Sequence, residues 1–276
     1  MYFQKYGIKE LQREHKKNGG NFMKTVLITG ATSGIGEEFA RRFAKRGYRL
    51  ILAGRNREKL LELKELYGND TMLICSDLAE EQDCYDLLEQ VKSEKIDVFI
   101  NNAGFGDCGR FTENDIEKEV KMIKVNDIAM HILFKGMLLK MEQRGRGIIL
   151  NVASSAGLLP AGPFMATYYA SKAYAVSLTR AVAYELKAQN SKVYVCALCP
   201  GPVDTNFNEV AKVQFALPGI SVRKCVSEAF HGMSQRKTII VPTVKMRVAM
   251  AGQKLLPTKL LVSLTANQQK KKMDDK

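Results

Sequence analysis

Seven short apolar runs punctuate this chain, and the stretches between them carry apolar residues at helical spacing. The run Thr25-Val26-Leu27-Ile28 is unbroken and rich in branched side chains, as a strand buried on both faces requires. After it, Ile35, Phe39, Ala40 and Phe43 share one helical face that stops at Gly47. The same reading predicts strands at 49–53, 71–75, 97–101, 147–152, 192–199 and 238–241, with long helical patterns near 113–141 and 168–188. Strand and helix alternate throughout. That order predicts an α/β fold: a doubly wound parallel sheet in three layers (α/β/α), forming a single domain. Ligands of such sheets lie across the carboxyl ends of the strands.

A chain of 276 residues with 46% hydrophobic content supplies one large core of this kind. No run of eighteen apolar residues is present, so no transmembrane helix is expected, and the polar, basic N-terminus does not read as a signal peptide. The formal net charge of +13 invites a nucleic-acid partner, but its distribution argues against one. Residues 1–24 and 252–276 each contribute +4, and no basic motif interleaved with aromatics appears. The tails read as solvated, with peripheral attraction to an anionic membrane surface as the alternative. Cys196 and Cys199 have C-x-x-C spacing, yet they sit in a predicted strand where residues three apart face opposite ways. His15, His131 and His231 fall in no ligand pattern, so no metal site is expected.

Candidate chemistry begins in the turn after the first strand. Thr29-Gly30-Ala31-Thr32-Ser33-Gly34-Ile35-Gly36 spaces its glycines G-x-x-x-G-x-G, unlike the commoner G-x-G-x-x-G. Strand, glycine turn and helix make a Rossmann-type dinucleotide site, with the pyrophosphate seated on the helix N-terminus. The second feature is Tyr168-Tyr169-Ala170-Ser171-Lys172, in which Tyr168 and Lys172 lie one helical turn apart. An ammonium beside a phenol favours the phenolate and is expected to lower a pKa that starts near about 10. Such a tyrosine exchanges a proton with a carbonyl or alcohol oxygen. Tyr169 fails the same test because Ala173 lies four residues on. Cofactor choice falls to Ala53-Gly54-Arg55-Asn56-Arg57, which offers no carboxylate for a ribose 2′-hydroxyl. Arg55 suits a 2′-phosphate and Ser33 adds a hydrogen bond, so NADP(H) is expected in preference to NAD(H).

These motifs are joined by Asp77 after the third strand, Asn101-Asn102-Ala103-Gly104, Asn126, Ser155 and Pro200-Gly201-Pro202-Val203-Asp204-Thr205. From about Lys24 to Pro242 their order resembles the short-chain dehydrogenase/reductases of the smaller, single-domain branch. The resemblance implies an NAD(P)-dependent oxidoreductase acting on CH–OH groups or carbonyls, with Tyr168 as acid and base. It implies that Lys172 also holds the nicotinamide ribose and that Asn126 anchors a water leading to a proton relay. Ser155 is implied to bond the substrate oxygen, chosen over Ser154 on its spacing to Tyr168. Cofactor contacts are implied for Gly30, Thr32, Ser33, Gly34, Ile35, Gly36, Arg55, Asp77, Leu78, Asn102, Ala103, Gly104, Tyr168, Lys172, Pro200, Gly201, Val203 and Thr205. Asp77 and Leu78 would flank the adenine. Cytoplasmic localisation, reduced cysteines and a homo-oligomer, dimer or tetramer, are the accompanying expectations.

The segment 157–165 is almost wholly apolar, and the substrate is expected against Ser155, Leu158, Phe164, Met165 and Phe207. Val210, Val213, Phe215 and Leu217 would complete a lid over the nicotinamide. Both features suggest a lipophilic ketone or alcohol such as a steroid or a 3-oxoacyl chain. Three parts are expected: an extension over 1–22, a catalytic domain over 23–242, and a helical extension with a basic tail over 243–276. The coding of 17–22 resembles a translated ribosome-binding site, which makes 1–22 either a disordered arm or a misassigned start. The last part resembles lipid- and steroid-directed members and lacks the ending that helps build the usual tetramer. Two other readings stand beside the enzyme: a catalytically silent nucleotide sensor, and a membrane-surface lipid-binding protein.

Overall fold

The computed structural model describes residues 23–205 and 219–270. The expected extension over 1–22, Phe207 and the rest of the expected lid lie outside the described residues. Six strands are long enough to form the body of the sheet: β1 (Thr25–Thr29), β2 (Arg49–Gly54), β3 (Met72–Cys75), β4 (Ile96–Asn101), β5 (Gly147–Val152) and β6 (Val193–Leu198). A short pair, β7 (Val203–Asp204) with β8 (Ile220–Ser221), stands apart, and β9 (Ile239–Ile240) closes the main edge. The main sheet runs β3-β2-β1-β4-β5-β6-β9, and every pairing is parallel. The chain winds outward from β1 to β3, then returns to the other side of β1 at β4. That reversal opens a crevice at the carboxyl ends of the strands.

Side-chain alternation along each strand divides the core in two. Val26 and Ile28 of β1 face one layer and Leu27 the other. The first layer is closed by α1 (Gly34–Ala44), α2 (Arg57–Tyr67) and α7 (Val222–Ser234). The second is closed by α3 (Glu81–Gln90), α5 (Met130–Arg144) and α6 (Ala166–Ala188). Cys196 packs in the first layer and Cys199 in the second, so the two sulfurs diverge and neither thiol is paired. Burial pushes both thiols up to about 12, which leaves them inert. Among the described residues no cluster of His, Cys, Asp and Glu is suited to a metal.

One polar chain crosses this core. Asn101 Nδ2 donates to Asn151 Oδ1 at 3.1 Å and to the Met130 carbonyl at 3.0 Å. Asn151 Nδ2 donates in turn to Thr179 Oγ1 at 2.9 Å, and that hydroxyl donates to the Ala175 carbonyl at 2.7 Å. The chain ties the ends of β4 and β5 to α5 and α6, just beneath the crevice.

The long helix expected over 113–141 is instead three pieces. The first, α4 (Ile116–Ile123), is capped by Asp115, whose Oδ1 accepts from Glu117 N at 2.9 Å. A π-helical turn over Lys124–Ala129 follows and runs straight into α5. Beyond β9 come α8 (Val244–Gly252) and α9 (Thr258–Lys270), which expose Val244, Val248, Leu260 and Leu264. Among the described residues no helix is long and apolar enough to cross a membrane.

Candidate active site

A cavity of about 450 Å³ occupies the crevice, with the glycine turn at one end and Tyr168 at the other. The turn is built for close approach. Gly30 and Gly34 hold φ of +61° and +54°, a region that side chains disfavour. Gly36 does not line the cavity; a Cβ there would sit 2.2 Å from the Gly30 carbonyl oxygen. Asn102 Nδ2 donates to the Thr29 and Gly30 carbonyls at 2.9 and 3.1 Å, and Thr29 Oγ1 accepts from the amides of Asn102 and Ala103. The turns after β1 and β4 are thereby fixed to each other.

Along the same wall lie Thr32, Ser33, Gly34, Ile35, Arg55, Asp77, Leu78, Asn102, Ala103 and Gly104. Ser33 is the N-cap of α1, yet its hydroxyl makes no capping bond. The Ser76 hydroxyl, also on the wall, is buried with no partner among the described residues. Burial pushes the Asp77 carboxyl up, but hydrogen bonds from the Ala79 amide and Lys121 outweigh it and leave the pKa lowered. Pro200, Gly201, Val203 and Thr205 face this wall from the other side. A free cap hydroxyl, an orphaned buried hydroxyl and a glycine cradle fit a dinucleotide.

At the opposite end the observed arrangement bears on two expectations. Tyr168 hydrogen-bonds Ser154, the neighbour of the Ser155 expected to meet the substrate oxygen. Ser154 is extended, with φ −162° and ψ 160°, and precedes the 3₁₀ turn Ser155–Leu158. Ser155 opens that turn and its amide donates to the Pro200 carbonyl at 2.8 Å. The irregular segment between the turn and α6 has no fixed rise per residue, so thirteen residues carry no geometric meaning across it. The other expectation concerns charge. Burial pushes the Tyr168 phenol up to about 12, with the Ser154 hydrogen bond pulling against it. Lys172 does not lower it: Nζ lies 5.8 Å from the ring centroid and donates to the Val152 carbonyl at 3.3 Å. Burial pulls the Lys172 ammonium down to about 8, while the nearby Asp127 charge pushes it up.

Asn126 stands beneath the cavity rather than on it. Its Oδ1 accepts from Phe105 N at 3.0 Å, and Nδ2 donates to the Phe105 carbonyl and to Ser171 Oγ. The side chain is a clamp on the loop after β4, and a Cβ on Gly104 would strike both Asn126 Oδ1 and Lys172 Nζ. Met165 lines the cavity, but Leu158 does not. Leu158 packs against the second core layer at the end of the 3₁₀ turn, and Leu159 takes the lining position. Phe164, at φ +67°, also misses the cavity; its ring lies 5.8 Å from Lys270 Nζ. Residues not foreseen are Phe105, Val125, Tyr169, Met246, Met250, Gln268 and Gln269. Apolar spacing in the C-terminal segment was the one signal for its two methionines; nothing in it marked the glutamines.

A family model described as short chain dehydrogenase matches residues 24–214. The chain belongs to the short-chain dehydrogenase family. A very-long-chain 3-oxoacyl-CoA reductase of Anas platyrhynchos is 33% identical to this short-chain dehydrogenase over 202 residues, 70% of this chain and 64% of the duck protein. A short-chain dehydrogenase from Sphingobium yanoikuyae in complex with NADPH superposes with a TM-score of 0.75 at 29% identity, covering 84% of this chain and 94% of that one. A 3-ketoacyl-(acyl-carrier-protein) reductase from Brucella melitensis complexed with NADH gives 0.69 at 26% identity, covering 79% and 94%. Both of these solved structures hold a nicotinamide cofactor.

Proposed function

We propose that this short-chain dehydrogenase is an NADP(H)-dependent oxidoreductase that reduces a carbonyl, or oxidises the matching secondary alcohol, on a lipophilic substrate such as a steroid or 3-oxoacyl chain. The Ser154–Tyr168 hydroxyl pair at the closed end of a glycine-lined cleft carries the reading. When bound, the nicotinamide supplies or accepts hydride. The chain supplies the proton and the field. With its pKa at about 12, Tyr168 is protonated at neutral pH and suited to donate to a carbonyl oxygen becoming an alkoxide. Ser154 adds a hydrogen bond to that oxygen as its charge grows. Asn126 acts as a positioning residue through the loop after β4. Phe105, Val125, Leu159, Met165 and Met250 give the substrate end an apolar lining. The 3-oxoacyl reductases among the relatives support an acyl chain there.

Replacing Ser154 with Ala is expected to lower kcat/KM about 10²-fold, whereas Ser155→Ala costs less than about threefold because its amide bond to Pro200 survives. Equal effects would return the role to Ser155. Arg55 carries the cofactor preference, since β2 ends at Gly54 without a carboxylate and Asp77 on the same wall is paired with Lys121. Arg55→Ala is expected to raise the KM for NADPH about tenfold or more and leave that for NADH within about twofold. Parallel decay of absorbance with the two cofactors tests it, and unchanged discrimination would remove the NADP(H) preference.

The pH dependence follows from Lys172. Lys172, proposed to hold the nicotinamide ribose, is half charged near pH 8 and loses its ammonium above it, so reduction is expected to slow as pH rises through that value. Asp127, itself pushed up to about 6 by burial, is ionised there and holds the lysine pKa up. Asp127→Asn therefore moves the alkaline limb of kcat/KM to lower pH by roughly half a unit or more. A limb that stays or moves upward would show that the lysine charge does not set it.

A further inference from the structure

The last turn of α9 closes over the substrate end, where Gln269 lines the cavity beside Leu159, Met165, Tyr169 and Met250. Gln269 is 2% exposed, in a helix otherwise turned largely to solvent. Its Nε2 donates to the Tyr169 hydroxyl at 2.6 Å. Its Oε1 is buried and has no partner among the described residues. Tyr169 packs edge-on against Tyr168, with ring centroids 6.3 Å apart, so the carboxamide stands one aromatic ring beyond the reacting phenol. Thr265, one turn earlier and 4% exposed, satisfies its own hydroxyl by donating to the Leu261 carbonyl. Among the described residues of this helix, Gln269 is the one whose buried acceptor stands without a partner at the cavity wall. Leaving a buried acceptor unpaired is costly, and an apolar residue of the same size would avoid the cost. Neither hydride nor proton transfer uses it.

We infer that Gln269 Oε1 is a second polar subsite of the cleft, accepting a hydrogen bond from a hydroxyl or amide N–H that the substrate carries away from its reacting carbonyl. The substrate class thereby narrows to lipophilic carbonyl compounds with one remote hydrogen-bond donor. This rests on the carbonyl-reducing reading for the far end of the cleft, while the subsite itself is a matter of binding. A ligand donor there pairs the one open atom of a carboxamide already anchored on Tyr169, so little side-chain ordering remains to be done on binding.

The test uses three ketones on one steroid-sized skeleton and three on one linear acyl skeleton, bearing at the remote position hydrogen, hydroxyl or methoxy. Calorimetry measures their binding to the full-length enzyme saturated with NADP⁺, where no ketone turns over. The hydroxy ketone of one skeleton is expected to bind about tenfold more tightly than its deoxy and methoxy partners. Gln269→Leu brings that ratio to about one, and Gln269→Glu, which keeps acceptor oxygens in place, retains it. Unchanged NADP⁺ affinity in both variants shows the fold is intact. Absence of a hydroxyl preference on either skeleton overturns the subsite, as does a preference that survives Gln269→Leu. A methoxy ketone binding as tightly as the hydroxy ketone overturns the donor assignment. NADPH oxidation is read separately: a hydroxyl preference without turnover removes the reductase reading and leaves the subsite standing.

Discussion

Tyr168→Phe is expected to lower kcat by about 10²–10⁴-fold while NADPH still binds. The substitution deletes one oxygen and leaves the ring, so packing against Tyr169 and Met165 is kept. What is lost is the phenol that hydrogen-bonds Ser154 and, on the proposed mechanism, the proton for the substrate oxygen. Tyr169 is no ready substitute, because its hydroxyl is turned to Gln269 Nε2, from which it accepts at 2.6 Å. Stopped-flow decay at 340 nm gives the rate, and fluorescence titration gives the cofactor affinity. A variant within about tenfold of the parent would move the acid to another group.

Gly36→Ala is expected to damage the cofactor end as severely. The new Cβ would lie 2.2 Å from the Gly30 oxygen, 2.9 Å from its carbonyl carbon and 2.6 Å from Asn102 Nδ2. None of these can give way cheaply. Gly30 is held by Asn102, and the next amide, Ala31 N, donates to the Ala53 carbonyl at 3.1 Å. The turn must open, at a cost of roughly 1–3 kcal/mol. Tm should fall by about 2–4 °C for each kcal/mol. NADPH affinity should drop more than about tenfold, since the opened turn no longer presents its amides to phosphate. Gly252→Ala is the control: nothing lies within 4 Å of its Cβ, and neither stability nor binding should suffer. Equal behaviour of the two variants would show that the close approach at Gly36 is not what shapes the site.

The layers of this fold were legible because parallel strands buried on both faces leave unbroken apolar runs, and β1, β2, β4, β5 and β6 all appear near their expected positions. The last strand shrank to Ile239–Ile240 because β6 offers it a partner only at Ala197 and Leu198. The π-helical turn over Lys124–Ala129 was invisible, since one extra residue per turn hardly alters the apolar period. At the site, motifs tied to regular elements transferred well to positions, as the glycine turn between β1 and α1 shows. Irregular backbone hides position: Ser154 rather than Ser155 meets Tyr168, and Leu159 rather than Leu158 lines the cavity. Burial was no more legible at Tyr168, where it raises the phenol and the lysine one turn away does not lower it. Gln269 lies a hundred residues beyond Tyr169, and no local pattern connects them.

Absorbance at 340 nm, followed for the parent enzyme with NADPH against steroid ketones, 3-oxoacyl thioesters and small aldehydes, is the decisive measurement. Steady NADPH oxidation with a lipophilic ketone, slower with NADH and abolished in Tyr168→Phe, is the predicted result. Tight NADPH binding with no oxidation by any member of the panel would contradict the account and leave a nucleotide-binding sensor in its place.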